Sequence, residues 1–417
     1  MDYKKYKQEG YNLHIITTDK FKYNMIRINF KRKVVKEEIT KRVFLLSLLI
    51  NSCEKYKTER LMEIKTEDLY GLIFHNEQII SGNYNIAQFT FTYLNERYTE
   101  PTITSDVLDF IHEIFYKPNI EKGMFEEKSF ELTKSLGIEA IKSADEDNNY
   151  YSLMRLFNAM DDTIPVSFRS EGYLEELKQL SREDLYQYYL SMIEEDILDI
   201  FVIGNVDDSI KSEINKRFKR KNNEISESHF ITHTDFRNEI KEVKDKKDIQ
   251  QSKLIMGIKL KNLSFYQREY VSVVYSYILG GGPESKLFKT VRTNNSLCYY
   301  IRSSILKVSN ILTIQAGISA KDYQKTVDLI KNEIESIKQG DFAKEEIEKV
   351  KTIYKAGVAE LLDSPRSILN NYNSIEYLKL DDLETRVKEM EKVTYEDVIE
   401  YANTINIDTI YLLEGEE

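Results

Sequence analysis

LSREDLYQYYLSMIEEDILDIFVIGNV, which spans Leu180–Val206, decides the fold because its plan is repeated at the end of the chain. The second copy, VTYEDVIEYANTINIDTIYLLEGEE, spans Val393–Glu417. Both copies begin with S/T-x-E-D, a helix-capping sequence in which the hydroxyl accepts a hydrogen bond from a free backbone amide. Both continue with an apolar-striped helix and a run of β-favouring residues. The repeat therefore predicts two domains of one design.

The segments that precede the two copies also correspond. Residues 85–134 and 310–357 both read as strand, linker, helix, turn and helix. Near the start of the chain, YNMIRINFKR alternates as a strand does, and EEITKRVFLLSLLINSC is apolar over the length of a helix. A repeat this long favours two similar α+β domains over a solenoid, which is built from shorter units.

We predict one domain at residues 1–218 and a second at residues 250–417, joined by a linker at residues 219–249. The linker sequence is polar and charge-dense with little apolar periodicity, which is typical of a partly extended connection between domains. The second domain then opens with the strand-like segment QSKLIMGIKL.

Composition limits the cellular setting and the classes of partner. The chain has 417 residues, and its charged, aromatic start is unlike a secretory signal. No apolar run reaches the roughly 18 residues that a membrane helix needs, so we expect a cytoplasmic location and no membrane partner. A net charge of −11 disfavours nucleic acid, because affinity for phosphates depends on Lys and Arg. Cys53 and Cys298 lie in apolar patterns and are expected to be buried and unreactive.

A second informative stretch is ILGGGPESKLFKTVRTNNSLCYY, residues Ile278–Tyr300. Its glycine run lacks both the Gly-Lys-Ser/Thr of a P-loop and the third glycine of a dinucleotide fingerprint, so we expect no phosphate binding. We interpret Gly280, Gly281 and Gly282 as a left-handed cap that ends one helix, and Ser285 as the cap of the next. The apolar face of that next helix is formed by Leu287, Phe288 and Val291. Beyond this face lie two polar residues, Arg292 and Tyr299.

LGGGPESKLFKTVRTNNSLCYYIRSS resembles the second-domain signature of the pitrilysin/insulinase (M16) family of zinc peptidases. The matching positions are Leu279, Gly280, Gly281, Ser285, Leu287, Phe288, Arg292, Leu297 and Tyr299. Thr293, Ser296 and Cys298 stand where the family usually has Glu, Gly and a small Ala, and Ser296 puts the turn before Tyr299 in doubt. The resemblance covers nearly the whole chain and is nearest in kind to small bacterial members that work as paired subunits. It implies two mostly antiparallel, helix-covered sheets that face each other as a half-clamshell, the fold shared with LuxS-like metallohydrolases.

Peptide-cutting members of the family carry H-x-x-E-H on their first long helix, where two His bind zinc and the Glu activates water. Alignment of SCEKY with the family's pattern places Val43, Leu46 and Ser47 at these positions. Val and Leu offer no lone pair to a metal, so we expect the zinc site to be missing and this chain to bind no metal. Glu139 could match the third ligand, but one carboxylate cannot hold zinc alone. The histidines expected to be structural are His75, His229 and His233.

The resemblance implies that Arg292 and Tyr299 hold an extended peptide and stabilise its developing oxyanion, while zinc lies in another subunit. We therefore predict a non-catalytic, substrate-binding subunit of a heterodimeric zinc peptidase, with Zn²⁺ in an H-x-x-E-H partner. The alternative is a peptide-binding or scaffolding homologue with no role in hydrolysis, and a third hypothesis is a peptidase with unconventional metal ligands. From the residues alone, Arg292 could also be a surface charge on a helix, and Tyr299 could be an aromatic residue of the core or of an interface.

Overall fold

The architecture is seen in a computed structural model, which describes residues 1–218, 228–261 and 263–415. The chain forms two compact units, each with a β-sheet and helices packed against it. The predicted two-domain α+β class is therefore confirmed. Residues 219–227, which open the predicted linker, lie outside the described residues.

The strands and helices are numbered along the chain. The strands are β1 (Asp2–Gln8), β2 (Tyr11–Thr17), β3 (Tyr23–Lys33), β4 (Ile73–Ser81), β5 (Tyr84–Leu94), β6 (Ile120–Glu121), β7 (Met124–Phe125), β8 (Ile197–Gly204), β9 (Lys241–Lys246), β10 (Ser252–Lys259), β11 (Cys298–Leu306), β12 (Ile311–Ile318) and β13 (Thr409–Glu414). The helices are α1 (Ile39–Asn51), α2 (Glu59–Asp68), α3 (Ile103–Tyr116), α4 (Glu127–Glu146), α5 (Asn148–Met160), α6 (Leu174–Gln179), α7 (Arg182–Glu195), α8 (Ser209–Arg217), α9 (Ser272–Gly280), α10 (Tyr323–Lys338), α11 (Lys344–Glu360), α12 (Pro365–Leu378), α13 (Leu383–Glu391) and α14 (Tyr395–Ala402). Two further segments, Gln267–Val271 and Phe288–Asn294, are π-helical.

The two sheets share one topology, as the internal repeat predicts. Their strand orders are β1-β2-β8-β3-β5-β4 in the first unit and β9-β13-β10-β12-β11 in the second. With β1 set aside, each strand of one sheet has a counterpart in the other. In each sheet one neighbouring pair is parallel, β2 with β8 and β9 with β13. The other neighbouring pairs described in these sheets are antiparallel.

The repeated S/T-x-E-D sequences begin helices, and each helix leads into a strand of the parallel pair. Ser181 Oγ accepts a hydrogen bond from the Asp184 amide at 3.0 Å ahead of α7, and β8 follows. Thr394 Oγ1 accepts from the Asp397 amide at 3.1 Å ahead of α14, and β13 follows. The predicted caps are therefore confirmed, and a shared sequence signal places equivalent strands in both sheets.

One face of each sheet packs against helices from its own half of the sequence, and the opposite face packs against a helix from the other half. Segment Asp145–Phe168, which contains α5, belongs to the second unit, and segment Asp363–Asn373, which contains the first part of α12, belongs to the first unit. Apolar side chains drive both contacts. Leu156, Phe157 and Met160 of α5 pack with Ile255 and Tyr411, and Ile368 and Leu369 of α12 pack with Met25 and Phe201.

The units therefore differ from the continuous domains predicted at residues 1–218 and 250–417. An amphipathic pattern shows that a helix has an apolar face, but it does not show which sheet that face will cover. The predicted linker at residues 219–249 also contributes to the fold, because Lys241–Lys246 forms β9 at one edge of the second sheet. Its sequence, KEVKDK, holds one apolar residue and so gives no strand signal.

Across the described part of the chain, we find no helix with both the length and the apolar character that crossing a bilayer requires.

Candidate functional site

The glycine run lies where α9 ends against β11 in the second unit. None of Gly280, Gly281 and Gly282 has a positive φ, and Gly281, just past the end of the helix, has φ −85°. The predicted left-handed cap is therefore wrong. A Cβ on Gly280 would lie 2.6 Å from the backbone nitrogen of Ser303, and one on Gly281 would lie 2.5 Å from the Cα of Tyr277. Gly280 and Gly281 are therefore needed because the backbone is closely packed at these two positions.

Ser285 closes the turn that follows the glycines. Its hydroxyl donates to the carbonyl oxygen of Gly282 at 2.6 Å and accepts from no described backbone amide, so the predicted side-chain cap is wrong. The chain then enters the π-helical segment Phe288–Asn294, a conformation frequent at functional sites. Leu287 and Val291 are fully buried in the core of the second unit, as predicted.

Arg292 lies near the end of this π-helical segment and contacts two aromatic rings. Its guanidinium carbon is 4.7 Å from the ring centre of Phe288 and 5.7 Å from that of Tyr299, which is the geometry of cation–π contacts. Arg292 is half-buried, whereas Tyr299 is 75% exposed. The structure thus brings together the two residues singled out in the sequence. It adds Phe288 as the platform for Arg292, which the i, i+4 spacing of the two residues could have indicated.

A tight turn and a β-bulge direct Tyr299 towards Arg292. The Ser296 amide donates to the Arg292 carbonyl at 3.0 Å, and the Leu297 amide donates to the Val291 carbonyl at 3.1 Å. Ser296 has φ +53°, in the left-handed region that favours glycine, so the turn survives the replacement of the family's usual glycine. The register with β12 then shifts between Cys298 and Tyr300. Tyr299 is the residue in that shift, and bulges commonly re-aim side chains in this way.

The polar groups of this pair are not engaged by the described protein. Among all the described residues, every other arginine except Arg60 makes a hydrogen bond to a described polar atom. The Arg292 guanidinium and the Tyr299 hydroxyl have no hydrogen-bond or ion-pair partner among the described residues. Arg60 is exposed, so Arg292 is the half-buried arginine among the described residues whose donors remain available to a ligand.

Cys298, one residue before Tyr299, is half-buried, not fully buried as the sequence predicts. Burial raises the pKa of its thiol to about 11, and the nearby positive charge of Arg292 offsets this only in part. The thiolate is the reactive form of cysteine, so it is scarce near neutral pH. Cys53 is buried in the first unit, and burial raises its pKa as well.

The residues that correspond to the zinc motif do not fit a metal. Val43, Leu46 and Ser47 lie on α1, where Leu46 is fully buried in the apolar core and the Ser47 hydroxyl donates to the Val43 carbonyl at 3.3 Å. Glu139 is exposed on α4 and forms an ion pair with Lys142 at 2.9 Å. Within residues 1–218, 228–261 and 263–415, no three His, Cys, Asp or Glu side chains are grouped so as to hold an ion.

The two histidines of HFITH make separate contacts. The His229 ring stacks on Tyr377 with centroids 5.4 Å apart, and His233 Nε2 lies 2.8 Å from the carbonyl oxygen of Ser309. Burial lowers the pKa of His233. Each histidine ring therefore packs against or hydrogen-bonds to the protein itself, which fits the predicted structural role.

Substituting Ser296 with glycine tests the strain in this turn. We expect Ser296→Gly to raise the free energy of unfolding by about 0.5–1 kcal/mol, because a left-handed non-glycine residue costs about 1–2 kcal/mol and the greater freedom of glycine in the unfolded chain offsets part of the gain. Urea denaturation followed by circular dichroism measures the change. Ser296→Ala is the matched control, since it removes the hydroxyl and keeps the Cβ. Equal stabilities for the two variants would contradict the strain.

Residues 179–354, which include Arg292 and Tyr299, match the family model described as the Peptidase M16 inactive domain. Across 418 aligned residues the chain is 27% identical to a protein of Bacillus subtilis described as probable inactive metalloprotease YmfF. The alignment covers 99% of this chain and 98% of that protein.

Solved structures extend the similarity to both units. The crystal structure of a conserved protein from Enterococcus faecalis V583 superposes with a TM-score of 0.92 at 27% identity, covering 100% of this chain and 99% of the other. A structure from Pseudomonas fluorescens, described as a peptidase M16 inactive domain, superposes with a TM-score of 0.82 at 14% identity, covering 100% and 99%. At that lower identity the likeness concerns the fold alone.

Proposed function

We propose that this chain, which matches the Peptidase M16 inactive domain over residues 179–354, is the non-catalytic, substrate-binding subunit of a two-chain zinc peptidase. In this proposal Arg292 and Tyr299 complete the active site of a homologue that contains H-x-x-E-H. The observation that carries the proposal is the adjacency of the half-buried residue Arg292 and the exposed Tyr299, whose guanidinium and hydroxyl have no hydrogen-bond or ion-pair partner among the described residues.

The chemistry of peptide hydrolysis gives such a pair a role. Attack on a peptide carbonyl places negative charge on its oxygen, and preorganised donors that meet this charge lower the barrier. A guanidinium held against the Phe288 ring is preorganised to meet this charge. The Tyr299 hydroxyl adds a neutral donor. These two groups fit the stabilisation of an oxyanion, and neither activates water.

The partner must supply the part of the reaction that α1 does not support. Val43 and Leu46 bring no metal ligand and no base, so we propose that this chain binds no zinc and that the Zn²⁺ belongs to the partner. We propose a cytoplasmic location for both subunits, on the sequence argument alone.

An extended peptide is the proposed substrate. Strand β11 lies at the edge of the second sheet, carries Tyr299 near its start and follows the π-helical segment that carries Arg292. An edge strand leaves backbone donors and acceptors free on one side, and a peptide that adds as a further strand gains affinity from its own backbone. Sequence preference would accordingly be loose.

Two measurements on the purified proteins test this function. We expect elemental analysis of this chain to find zinc far below one ion per molecule, and an H-x-x-E-H homologue from the same organism to hold one. We expect cleavage of an unstructured fluorogenic peptide only when both chains are mixed. Stoichiometric zinc in this chain would contradict the proposal. Equal cleavage by the zinc-bearing chain alone would also contradict it, and would favour the peptide-binding or scaffolding alternative.

A further inference from the structure

The charge of Arg292 is left uncompensated in a chain that is otherwise rich in carboxylates. The protein has 70 Asp and Glu residues against 59 Lys and Arg. Half-buried or buried arginines such as Arg32, Arg42 and Arg237 are each paired with an Asp. Arg292 has no such pair among the described residues, and its flat faces lie against rings that cannot neutralise it. The site therefore favours a ligand that carries the missing negative charge.

Among the groups of a peptide, a carboxylate satisfies this requirement best. A guanidinium presents parallel N–H donors that match the two oxygens of a carboxylate, and such charge-assisted bonds are roughly twice as strong as neutral ones. A ground-state carbonyl accepts hydrogen bonds without neutralising the charge. The Tyr299 hydroxyl supplies a further donor to the same anion.

The position of the site along β11 indicates which carboxylate a bound peptide would present. β11 runs from Cys298 to Leu306, and its ordered pairing with β12 begins at Tyr300, after the bulge. A peptide added antiparallel to the free edge of β11 would run towards Cys298, so its C-terminal end would approach the bulge. Bulges terminate pairing, and Arg292 and Tyr299 lie at this end of the strand.

We propose that Arg292 and Tyr299 capture the free C-terminal α-carboxylate of an extended peptide aligned along β11. This assignment rests on the proposed substrate-binding role of the same two residues and names its preferred ligand. An oxyanion and a carboxylate present similar negative oxygens, so the same donors serve both. The isolated chain therefore discriminates between peptides by their C-terminal group.

Fluorescence anisotropy on the isolated chain tests the proposal. The probes are an N-terminally labelled, unstructured peptide of about eight residues with a free C-terminal acid, and the same peptide with a C-terminal carboxamide. A peptide of this length covers the strand at about 3.4 Å per residue. We expect the acid to bind about tenfold more tightly than the amide, which corresponds to about 1.4 kcal/mol. We expect Arg292→Gln to abolish this preference and Tyr299→Phe to reduce it.

Arg60→Gln is the matched control, because it removes the same charge from an exposed arginine in the first unit that also lacks a described partner. Circular dichroism of each variant verifies folding. The proposal is overturned if acid and amide bind equally, if neither binds, or if Arg292→Gln keeps the preference. Because no second subunit takes part, these outcomes are independent of whether the two-chain peptidase exists.

Discussion

Replacing Arg292 with alanine is expected to lower the turnover of the proposed two-chain peptidase by about 10²- to 10³-fold, the usual cost of removing one preorganised oxyanion donor. The guanidinium has no described protein acceptor to occupy it, so its donors are available to the transition state. The measurement is kcat/KM for an unstructured fluorogenic peptide with wild-type zinc-bearing partner in excess. Tyr299→Phe, which removes only the hydroxyl, is expected to reduce turnover by about 10²-fold.

Lys289→Ala is the matched control for this experiment. Lys289 lies on the same π-helical segment and forms a surface ion pair with Glu284 at 3.3 Å, so its loss removes a positive charge without touching the Arg292 contacts. We expect this variant to retain wild-type turnover within about twofold, because exposed ion pairs contribute little. A fall in turnover that is equal for Lys289→Ala and Arg292→Ala would show that general electrostatics, and not a directed donor, accounts for the loss.

The sequence supplied the identity of the site's two polar residues, and the structure supplied their geometry. The resemblance to the family signature implies that Arg292 and Tyr299 belong together. The bulge at Tyr299 depends on the register between β11 and β12, which only the assembled sheet determines. The glycine run suggests a left-handed cap because helices commonly end that way, whereas close contacts with Ser303 and Tyr277 are what require Gly280 and Gly281. Long-range packing was the missing information in both cases.

For the fold too, the sequence predicts local features and long-range packing determines the rest. The repeated S/T-x-E-D sequences predicted two domains of one design, because caps are local interactions that short sequences encode. The exchange of α5 and the first part of α12 between the units could not be predicted in this way. Leu156, Phe157 and Met160 form an apolar face, but their partners Ile255 and Tyr411 are distant in sequence. Strand β9 escaped detection because its pairing with β13, rather than its own side chains, places it in the sheet.

A buried ion cluster in the first unit joins three elements that the sequence did not connect. Asp196, at the end of α7, accepts from Arg42 of α1 at 2.6 Å and from Arg32 of β3 at 2.5 Å. Arg42 and Asp196 have fully buried side chains, and Arg42 also donates to the Phe30 carbonyl at 2.6 Å. Burial opposes the charged form of Arg42, but the nearby Asp196 carboxylate more than compensates and raises the pKa of Arg42.

Asp196→Ala is therefore expected to lower the free energy of unfolding of the first unit by about 3–5 kcal/mol. The reason is that removal of one partner leaves the buried Arg42 charge without its carboxylate, a cost far above that of losing a surface pair. Urea denaturation at pH 7, followed by circular dichroism, measures the loss. Asp363→Ala is the matched control, because Asp363 pairs with Lys20 at 2.6 Å while both side chains are exposed, and its loss is expected to cost less than about 1 kcal/mol. If both variants were to unfold at the same urea concentration, the cluster would contribute no more than a surface ion pair.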